Sequence, residues 1–130
     1  MGDPRGLPPS ISTPADRIVH ELFHLLTRSW TYHIVIALGF GGPTRYGALH
    51  KKIEGISQRL LTQRLQELEE WGLVTRIPEK NSVRSVTYAM TVRSKELQPL
   101  FGAFRELVNR WQKEDGEPAG REKARKPAPF

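Results

Sequence analysis

The sequence has 130 residues and a net charge of +6, from 20 Lys and Arg against 14 Asp and Glu. This length accommodates one domain with one modest hydrophobic core. The lack of cysteine excludes disulfides, cysteinyl metal sites and thiol redox sensing. The apolar runs are far shorter than a membrane span, and the N-terminus shows no secretory signal, so we expect a soluble cytoplasmic protein.

The positive charge is concentrated in the middle of the chain. Between Thr44 and Lys95 there are ten Lys and Arg against five Glu, a net charge of +5. A local basic excess of this kind is typical of a nucleic-acid-binding surface.

The N-terminal part predicts a loose tail followed by a helix. Residues 1–12 are rich in Pro and Gly, so we expect them to be disordered. Thr13 followed by Pro14 is a helix-start signal, and apolar residues at helical spacing extend this first helix to about Thr27.

Two further helices are predicted before residue 55. The second runs from about Trp30 to Leu38, is apolar on almost every side, and is ended by the glycines and proline of residues 39–43. Thr44 is then expected to cap a short third helix. Its buried positions would be Tyr46, Leu49 and Ile53.

An amphipathic helix with clear ends follows, between Ser57 and Gly72. Ser57 is a suitable N-cap, and Gly72 stands where a left-handed C-terminal residue is favoured. The buried side of this helix is formed by leucines, with Leu60 and Trp71 at its margin: Leu61, Leu65 and Leu68. A short helix, a Gly-containing turn and a longer helix with one polar side are the order of a helix-turn-helix.

The polar side of this helix carries residues suited to base edges. Arg pairs with guanine, Gln with adenine, and Thr offers both a hydroxyl and a methyl group. The residues predicted to read bases are Gln58, Arg59, Thr62, Gln63 and, farther along the groove, Gln66. A solvated surface helix is the alternative interpretation of the same pattern.

After Gly72 the sequence alternates with a period of two, which predicts a β-hairpin. The strands would lie on either side of a polar turn at residues 79–84, and the second would run from Ser85 to Met90. Directly after a helix-turn-helix, such a hairpin is a wing. Lys80 and Arg84 at its tip, together with Arg45, are predicted to contact the DNA backbone or enter a minor groove. Ser57 and the N-terminus of its helix are predicted to meet a phosphate.

A long C-terminal helix follows Thr91, and Pro99 is expected to kink or split it. Its apolar surface, together with that of the first helix, predicts the interface of a two-fold dimer. The predicted interface residues are Leu22, Phe23, Leu26, Leu100, Phe101, Phe104, Leu107, Val108 and Trp111. Packing of this helix onto its own core is the alternative. Residues 114–130 form a charged tail expected to be disordered, so the folded domain is predicted to span residues 13–113.

At this point the chain resembles the HxlR family of winged-helix transcriptional regulators, which are related to the MarR group. The resemblance covers about Arg17 to Trp111. It rests on these segments: Trp30-Thr31, Arg45-Tyr46-Gly47-Ala48-Leu49, Gly55-Ile56-Ser57, Leu61-Thr62-Gln63-Arg64-Leu65, Leu68-Glu69-Glu70-Trp71-Gly72-Leu73-Val74 and Val86-Thr87-Tyr88-Ala89-Met90-Thr91. It implies a mainly α-helical fold with a small β-hairpin (α+β), a winged helix-turn-helix. It also implies a homodimeric, sequence-specific regulator of double-stranded DNA, in most family members a repressor, without a cofactor.

The sequence departs from the family pattern at the signal-sensing end. The family usually has a Cys-Pro pair before the first helix, where this chain has Arg17 and Ile18. Its usual Gly-Gly-Lys is replaced by Thr27-Arg28-Ser29, and the glycine after the wing by Ser94. Thiol sensing is therefore not carried over, and the small-molecule effector, if there is one, stays unidentified.

His20-Glu21-Leu22-Phe23-His24 matches the H-E-x-x-H pattern of zinc peptidases. The two histidines would share one side of a helix, but a catalytic zinc needs a third protein ligand, and the sequence offers no second constellation that supplies it. A regulatory metal on the histidine pair, or its titration near neutral pH, is a further hypothesis. We predict a non-enzymatic DNA-binding regulator, with a winged-helix protein-interaction module as the main alternative and a zinc peptidase as the weaker one.

Overall fold

The computed structural model describes residues 13–80 and 82–116, with the backbone alone at residues 82–84. The chain forms six helices and three strands within these ranges. In order they are α1 (Pro14–Leu26), α2 (Thr31–Gly41), β1 (Thr44–Arg45), α3 (Tyr46–Lys52), α4 (Gln58–Glu70), β2 (Val74–Glu79), β3 (Ser82–Met90), α5 (Val92–Lys95) and α6 (Gln98–Asp115). The fold is mainly α-helical with a small antiparallel sheet, as predicted.

The start of α1 follows the predicted signal. The Thr13 hydroxyl accepts a hydrogen bond from the Asp16 backbone N–H at 3.1 Å, and Pro14 occupies the first helical position. Proline has no N–H to lose at this position, and its fixed φ angle suits the first turn. The helix ends at Leu26, close to the predicted end.

The predicted end of the second helix at Gly39 is wrong, because α2 continues through Gly41. Ile34 and Leu38 are fully buried, so core packing offsets the cost of about 1 kcal/mol for each glycine in the helix. Gly42 is the C-cap of the helix: it has φ +71° and donates its N–H to the Leu38 carbonyl. The helix is buried on one side only, since Phe40 is exposed.

The prediction that Thr44 caps the third helix is wrong, because Thr44 lies in β1. Its hydroxyl donates to the Gly42 carbonyl at 2.8 Å, and Arg45 holds the N-cap position of α3 without a side-chain bond. Thr44 pairs with Tyr88 across the sheet. The strand β1 was not predicted, and it ties the helix-turn-helix to the wing.

The helix-turn-helix consists of α3, a turn and α4, and both ends of α4 agree with the prediction. The Ser57 hydroxyl accepts from the Leu60 N–H at 3.1 Å. At the other end Gly72 has φ +72°, and the backbone N–H groups of Gly72 and Leu73 donate to the carbonyls of Glu69 and Leu68, both at 2.9 Å. This pair of bonds is the Schellman motif, which requires the left-handed residue that glycine supplies most readily.

The three strands are ordered β1-β3-β2, and both pairs are antiparallel. The hairpin of β2 and β3 was predicted, but its turn is shorter, because β3 already begins at Ser82 and Glu79 pairs with Ser82. At its base the Thr91 hydroxyl donates to the Gly72 carbonyl at 2.6 Å. The wing therefore starts directly from the end of α4, and the two elements are fixed to each other.

The C-terminal stretch is split near Pro99, as predicted. Thr91 caps the short α5 by accepting from the Ser94 N–H, and Pro99 lies in the first turn of α6. The helix α6 contributes no buried residue and ends at Asp115, two residues beyond the predicted domain end. Of the predicted disordered tails, residues 1–12 and 117–130 lie outside the described residues, but the prediction is wrong for residues 114 and 115, which belong to α6.

One hydrophobic core joins the helices to the sheet. It contains Leu25, Ile34, Val35, Leu38, Leu49, Ile53, Ile56, Leu61, Leu65, Leu68, Leu73, Val74, Tyr88 and Leu97. The leucines of α4 predicted to face inwards are fully buried. None of the described helices is both long and apolar enough to cross a membrane.

Candidate nucleic-acid interface

The polar side of α4 is exposed along its whole length. The five residues predicted to read bases lie on it together and, with Tyr46 of α3, line one open concavity: Gln58, Arg59, Thr62, Gln63 and Gln66. The opposite side of the same helix is fully buried. The helix therefore presents a row of hydrogen-bonding side chains on a rigid support, which is the arrangement needed to read base edges in a major groove.

An ionic cluster fixes α4 against the start of α2. The Glu67 carboxylate pairs with Arg28, and it accepts from the Arg64 guanidinium at 2.9 Å. Arg64 also donates through Nε to the Ser29 carbonyl at 3.0 Å, and its side chain is only 11% exposed. Arg64 is therefore held by Glu67 and the Ser29 carbonyl and does not belong to the exposed side of α4. The contribution of Arg28 to this cluster was not predicted, because Arg28 and Glu67 are 39 residues apart in the sequence.

The N-terminus of α4 is available to an anion. Ser57 is exposed, and its hydroxyl oxygen accepts from Leu60, which leaves the hydroxyl proton available to an outside acceptor. The unpaired N–H groups of the first turn and the positive end of the helix dipole favour a phosphate at the same place.

Arg45 is already engaged by the wing. Its guanidinium lies 2.6 Å from a carboxylate oxygen of Glu79, with the two side chains 65% and 34% exposed. The pair bridges the helix-turn-helix to the end of β2. An exposed pair of this kind contributes about 0–1 kcal/mol, so a phosphate can still compete for Arg45.

The predicted wing contacts are described only in part. Lys80 is exposed at the tip of the hairpin, next to the turn. Arg84 belongs to β3, and its side chain lies outside the described part of the structure. Lys80 therefore places one positive charge at the tip of the wing.

Tyr46 is a component of this surface that the sequence analysis assigned only to the core. Its ring is half-buried, with its centroid 6.4 Å from that of Tyr88. Its hydroxyl donates to the Gln58 carbonyl at 2.9 Å and lies 2.9 Å from the Thr62 hydroxyl. Helical spacing indicates which side of a helix is buried, but it does not show that a long side chain can emerge next to a neighbouring helix.

The residues predicted for a dimer interface fall into two groups. Leu22, Leu26 and Phe101 pack partly against the chain's own core. Phe23, Leu100, Phe104 and Trp111 are exposed, while Leu107 and Val108 are half-buried. Ile18 and Val19 of α1 are also exposed and were not predicted as part of this surface.

The histidine pair of the H-E-x-x-H segment lies on one side of α1. The rings of His20 and His24 are nearly parallel, with centroids 6.3 Å apart, and they border a cleft of about 320 Å³ between α1 and the end of α4. Within residues 13–80 and 82–116, no group of three or more His, Asp or Glu side chains is placed to hold a metal ion. The described residues therefore provide no third ligand for a catalytic zinc.

Comparisons with known proteins agree with this geometry. Residues 25–116 match the model of the HxlR-like helix-turn-helix family. The chain is 34% identical over 89 residues to the uncharacterized HTH-type transcriptional regulator YvaP of Bacillus subtilis, covering 67% of this chain and 80% of YvaP. It is 30% identical over 97 residues to such a regulator from Synechocystis, covering 75% of this chain and 71% of the relative. Among solved structures, the reduced form of the transcriptional regulator YodB from Bacillus subtilis matches with a TM-score of 0.63 and 29% identity, over 83% of this chain and 98% of YodB.

Proposed function

The chain belongs to the HxlR-like helix-turn-helix family and is a DNA-binding transcription regulator, and from this premise we propose how it acts. It binds double-stranded DNA sequence-specifically as a two-fold homodimer and represses the genes that it controls. The helix α4 lies in the major groove, and the wing contacts the flanking backbone or minor groove. Its activity is binding rather than catalysis.

The observation that carries the proposal is the division of α4 into two sides. Leu61, Leu65 and Leu68 are fully buried, whereas Arg59 and Gln63 on the other side are exposed. Arg and Gln make bidentate contacts with guanine and adenine edges, so this surface carries groups that can distinguish base pairs.

Phosphate contacts provide most of the affinity in the proposal, and base contacts provide the discrimination. The N-terminus of α4, Arg45 before α3 and Lys80 at the wing tip are exposed groups that can bind an anion, and Arg84 belongs to the same wing. These positions suit groups that set the register of the protein on the duplex. Each phosphate neutralised releases counterions, so the affinity must fall steeply as salt rises.

Exposed apolar surface on α1 and α6 supports the dimer. Leu100, Phe104 and Trp111 lie on a helix that contributes no buried residue to its own chain. Large apolar patches of this kind on a soluble protein mark interaction sites. A second copy of the chain would cover them through the same surface on both protomers, as a two-fold axis requires.

A protein-interaction module is the second candidate function. The exposed side of α4 is formed by Arg, Thr and Gln, with no exposed aromatic or aliphatic anchor among the residues that line it with Tyr46. Protein interfaces are usually centred on such anchors. This composition favours DNA over a protein partner.

The amino-acid composition limits the kind of signal that can regulate the protein. A thiol-based signal is excluded because the chain has no cysteine, so any signal must reach it through non-covalent binding or another side chain. The cytoplasm is the proposed location because a transcription regulator must meet the chromosome.

Hydroxyl-radical footprinting on the DNA upstream of the protein's own gene tests this proposal. A two-fold dimer should protect two patches about one helical turn apart on one side of the duplex. Arg59→Ala should need about 5- to 150-fold more protein for the same protection, whereas Arg110→Ala, an exposed arginine on α6, should need no more than the wild type. Protection by the wild type that shows no sequence preference, or an Arg59→Ala variant that protects at the wild-type concentration, would contradict the proposed use of α4.

A further inference from the structure

The base-reading surface includes the Thr62 hydroxyl, and the position of Tyr46 decides whether this hydroxyl donates or accepts a hydrogen bond. Tyr46 lies within 2.9 Å of two partners, the Gln58 carbonyl and the Thr62 hydroxyl. We propose that Tyr46 makes Thr62 an obligate hydrogen-bond acceptor towards DNA, so that Thr62 selects a base carrying an amino group. This inference rests on the proposed function, since it concerns how the same surface chooses its DNA.

The direction of each hydrogen bond at Tyr46 depends on the protons available. A tyrosine hydroxyl has one proton to donate, and a backbone carbonyl can only accept. Both 2.9 Å contacts are hydrogen bonds at the same time only when the Tyr46 proton points to the Gln58 carbonyl. The contact between Tyr46 and Thr62 must then be made with the proton of Thr62, which is donated to the tyrosine oxygen.

The consequence for Thr62 is that its single proton is occupied inside the protein. Thr62 is exposed on the base-reading side of α4, and its oxygen keeps lone pairs directed away from Tyr46. A threonine hydroxyl normally adapts to either partner by rotating, which makes it an indifferent reader of base edges. Because the Thr62 proton is donated to Tyr46, the Thr62 hydroxyl can only accept a hydrogen bond from DNA.

In the major groove the exocyclic amino groups of cytosine and adenine are the donors, whereas guanine offers only the acceptors O6 and N7. An acceptor on the protein placed against these guanine atoms would leave both sides unsatisfied. We therefore expect cytosine or adenine to be preferred over guanine at the base that Thr62 contacts, by about 5- to 50-fold.

Two shape-preserving variants test this chemistry. Tyr46→Phe removes the hydroxyl but keeps the half-buried ring beside Tyr88, and Thr62→Val removes the threonine hydroxyl at nearly constant shape. Tyr32→Phe on α2 is the matched control, because it removes a tyrosine hydroxyl from outside the base-reading surface. Circular dichroism of each variant verifies the folded state before binding is measured.

The experiment first selects the preferred duplex of the full-length wild type from a randomised library. The affinities of the wild type and the variants are then measured for every single base-pair change in that duplex. Thr62→Val should abolish the preference at one position, where the wild type favours cytosine or adenine over guanine. Tyr46→Phe should reduce that same preference to below about 3-fold and leave the other positions unchanged, because the released Thr62 proton can then be donated to guanine. Tyr32→Phe should change nothing.

A double-mutant cycle completes the test. In the Thr62→Val background, Tyr46→Phe should have no further effect on specificity. The inference is overturned if Thr62→Val alters no position, if the altered position favours guanine in the wild type, or if Tyr46→Phe weakens all duplexes equally. A wild type that selects no sequence overturns the proposed function itself, and that failure is visible before any variant is compared.

Discussion

The ionic cluster that fixes α4 gives the most specific prediction for stability. Glu67→Ala should lower the free energy of unfolding by about 2–3 kcal/mol. In the structure Glu67 accepts from Arg64 and pairs with Arg28. Its removal leaves the Arg64 guanidinium, 11% exposed, with only its hydrogen bond to the Ser29 carbonyl.

The magnitude follows from burial. Breaking a fully buried ion pair from one side costs about 3–5 kcal/mol, because the other charge stays buried and uncompensated. Glu67 is 24% exposed and Arg28 is 35% exposed, so water compensates part of that loss. A single hydrogen bond to a charged group contributes about 1.5–3 kcal/mol, and the expected loss lies within that range.

Urea denaturation followed by tryptophan fluorescence measures this change, since Trp30 and Trp71 are partly buried against the hydrophobic core and become solvated on unfolding. Glu69→Ala is the matched control, because Glu69 is exposed on the same helix and should change stability by less than about 0.5 kcal/mol. Equal effects of Glu67→Ala and Glu69→Ala would refute the reasoning, because they would mean that Arg64 is solvated and that α4 is held only by its leucines.

Four other predictions follow from individual residues. Arg59→Ala should weaken binding to the preferred duplex by about 1–3 kcal/mol in an anisotropy titration, and binding to a scrambled duplex much less; equal losses would make Arg59 a phosphate contact only. Leu65→Ala, at a fully buried position, should cost about 2–5 kcal/mol of stability in urea denaturation, and a loss below 1 kcal/mol would contradict the packing of α4. Gly72→Ala should cost about 1–2 kcal/mol in thermal unfolding, because its φ of +72° is left-handed and a Cβ there would lie 3.3 Å from the Arg93 guanidinium. Phe104→Glu, at a side chain 67% exposed on α6, should convert a dimer into a folded monomer in light scattering, whereas an unchanged mass would move the interface elsewhere.

The helix-turn-helix was predictable because its signals are local. Ser57 and Gly72 lie at the two ends of one helix, and each acts on backbone groups only a few residues away. The leucine spacing of α4 reports burial directly, since one side of a helix repeats every three or four residues. The same periodicity predicted which residues of α4 are exposed.

The features that sequence analysis missed depend on distant parts of the chain. The two residues of β1 become a strand only because β3 passes beside them, some 40 residues later in the sequence. Gly39 remains helical because tertiary packing outweighs its weak helix propensity. The hydroxyl of Tyr46 reaches Thr62 through the angle between α3 and α4, which no pattern within either helix records.

The central claim is that the exposed side of α4 reads DNA sequence. The most direct test is the anisotropy of a labelled duplex from the gene's upstream region, titrated with the full chain at several salt concentrations beside a scrambled duplex of the same length. We expect tight binding to the upstream duplex, a clear preference over the scrambled one, and an affinity that falls steeply as the salt concentration rises. No binding to either duplex at low salt would contradict the assignment of α4 as a recognition helix.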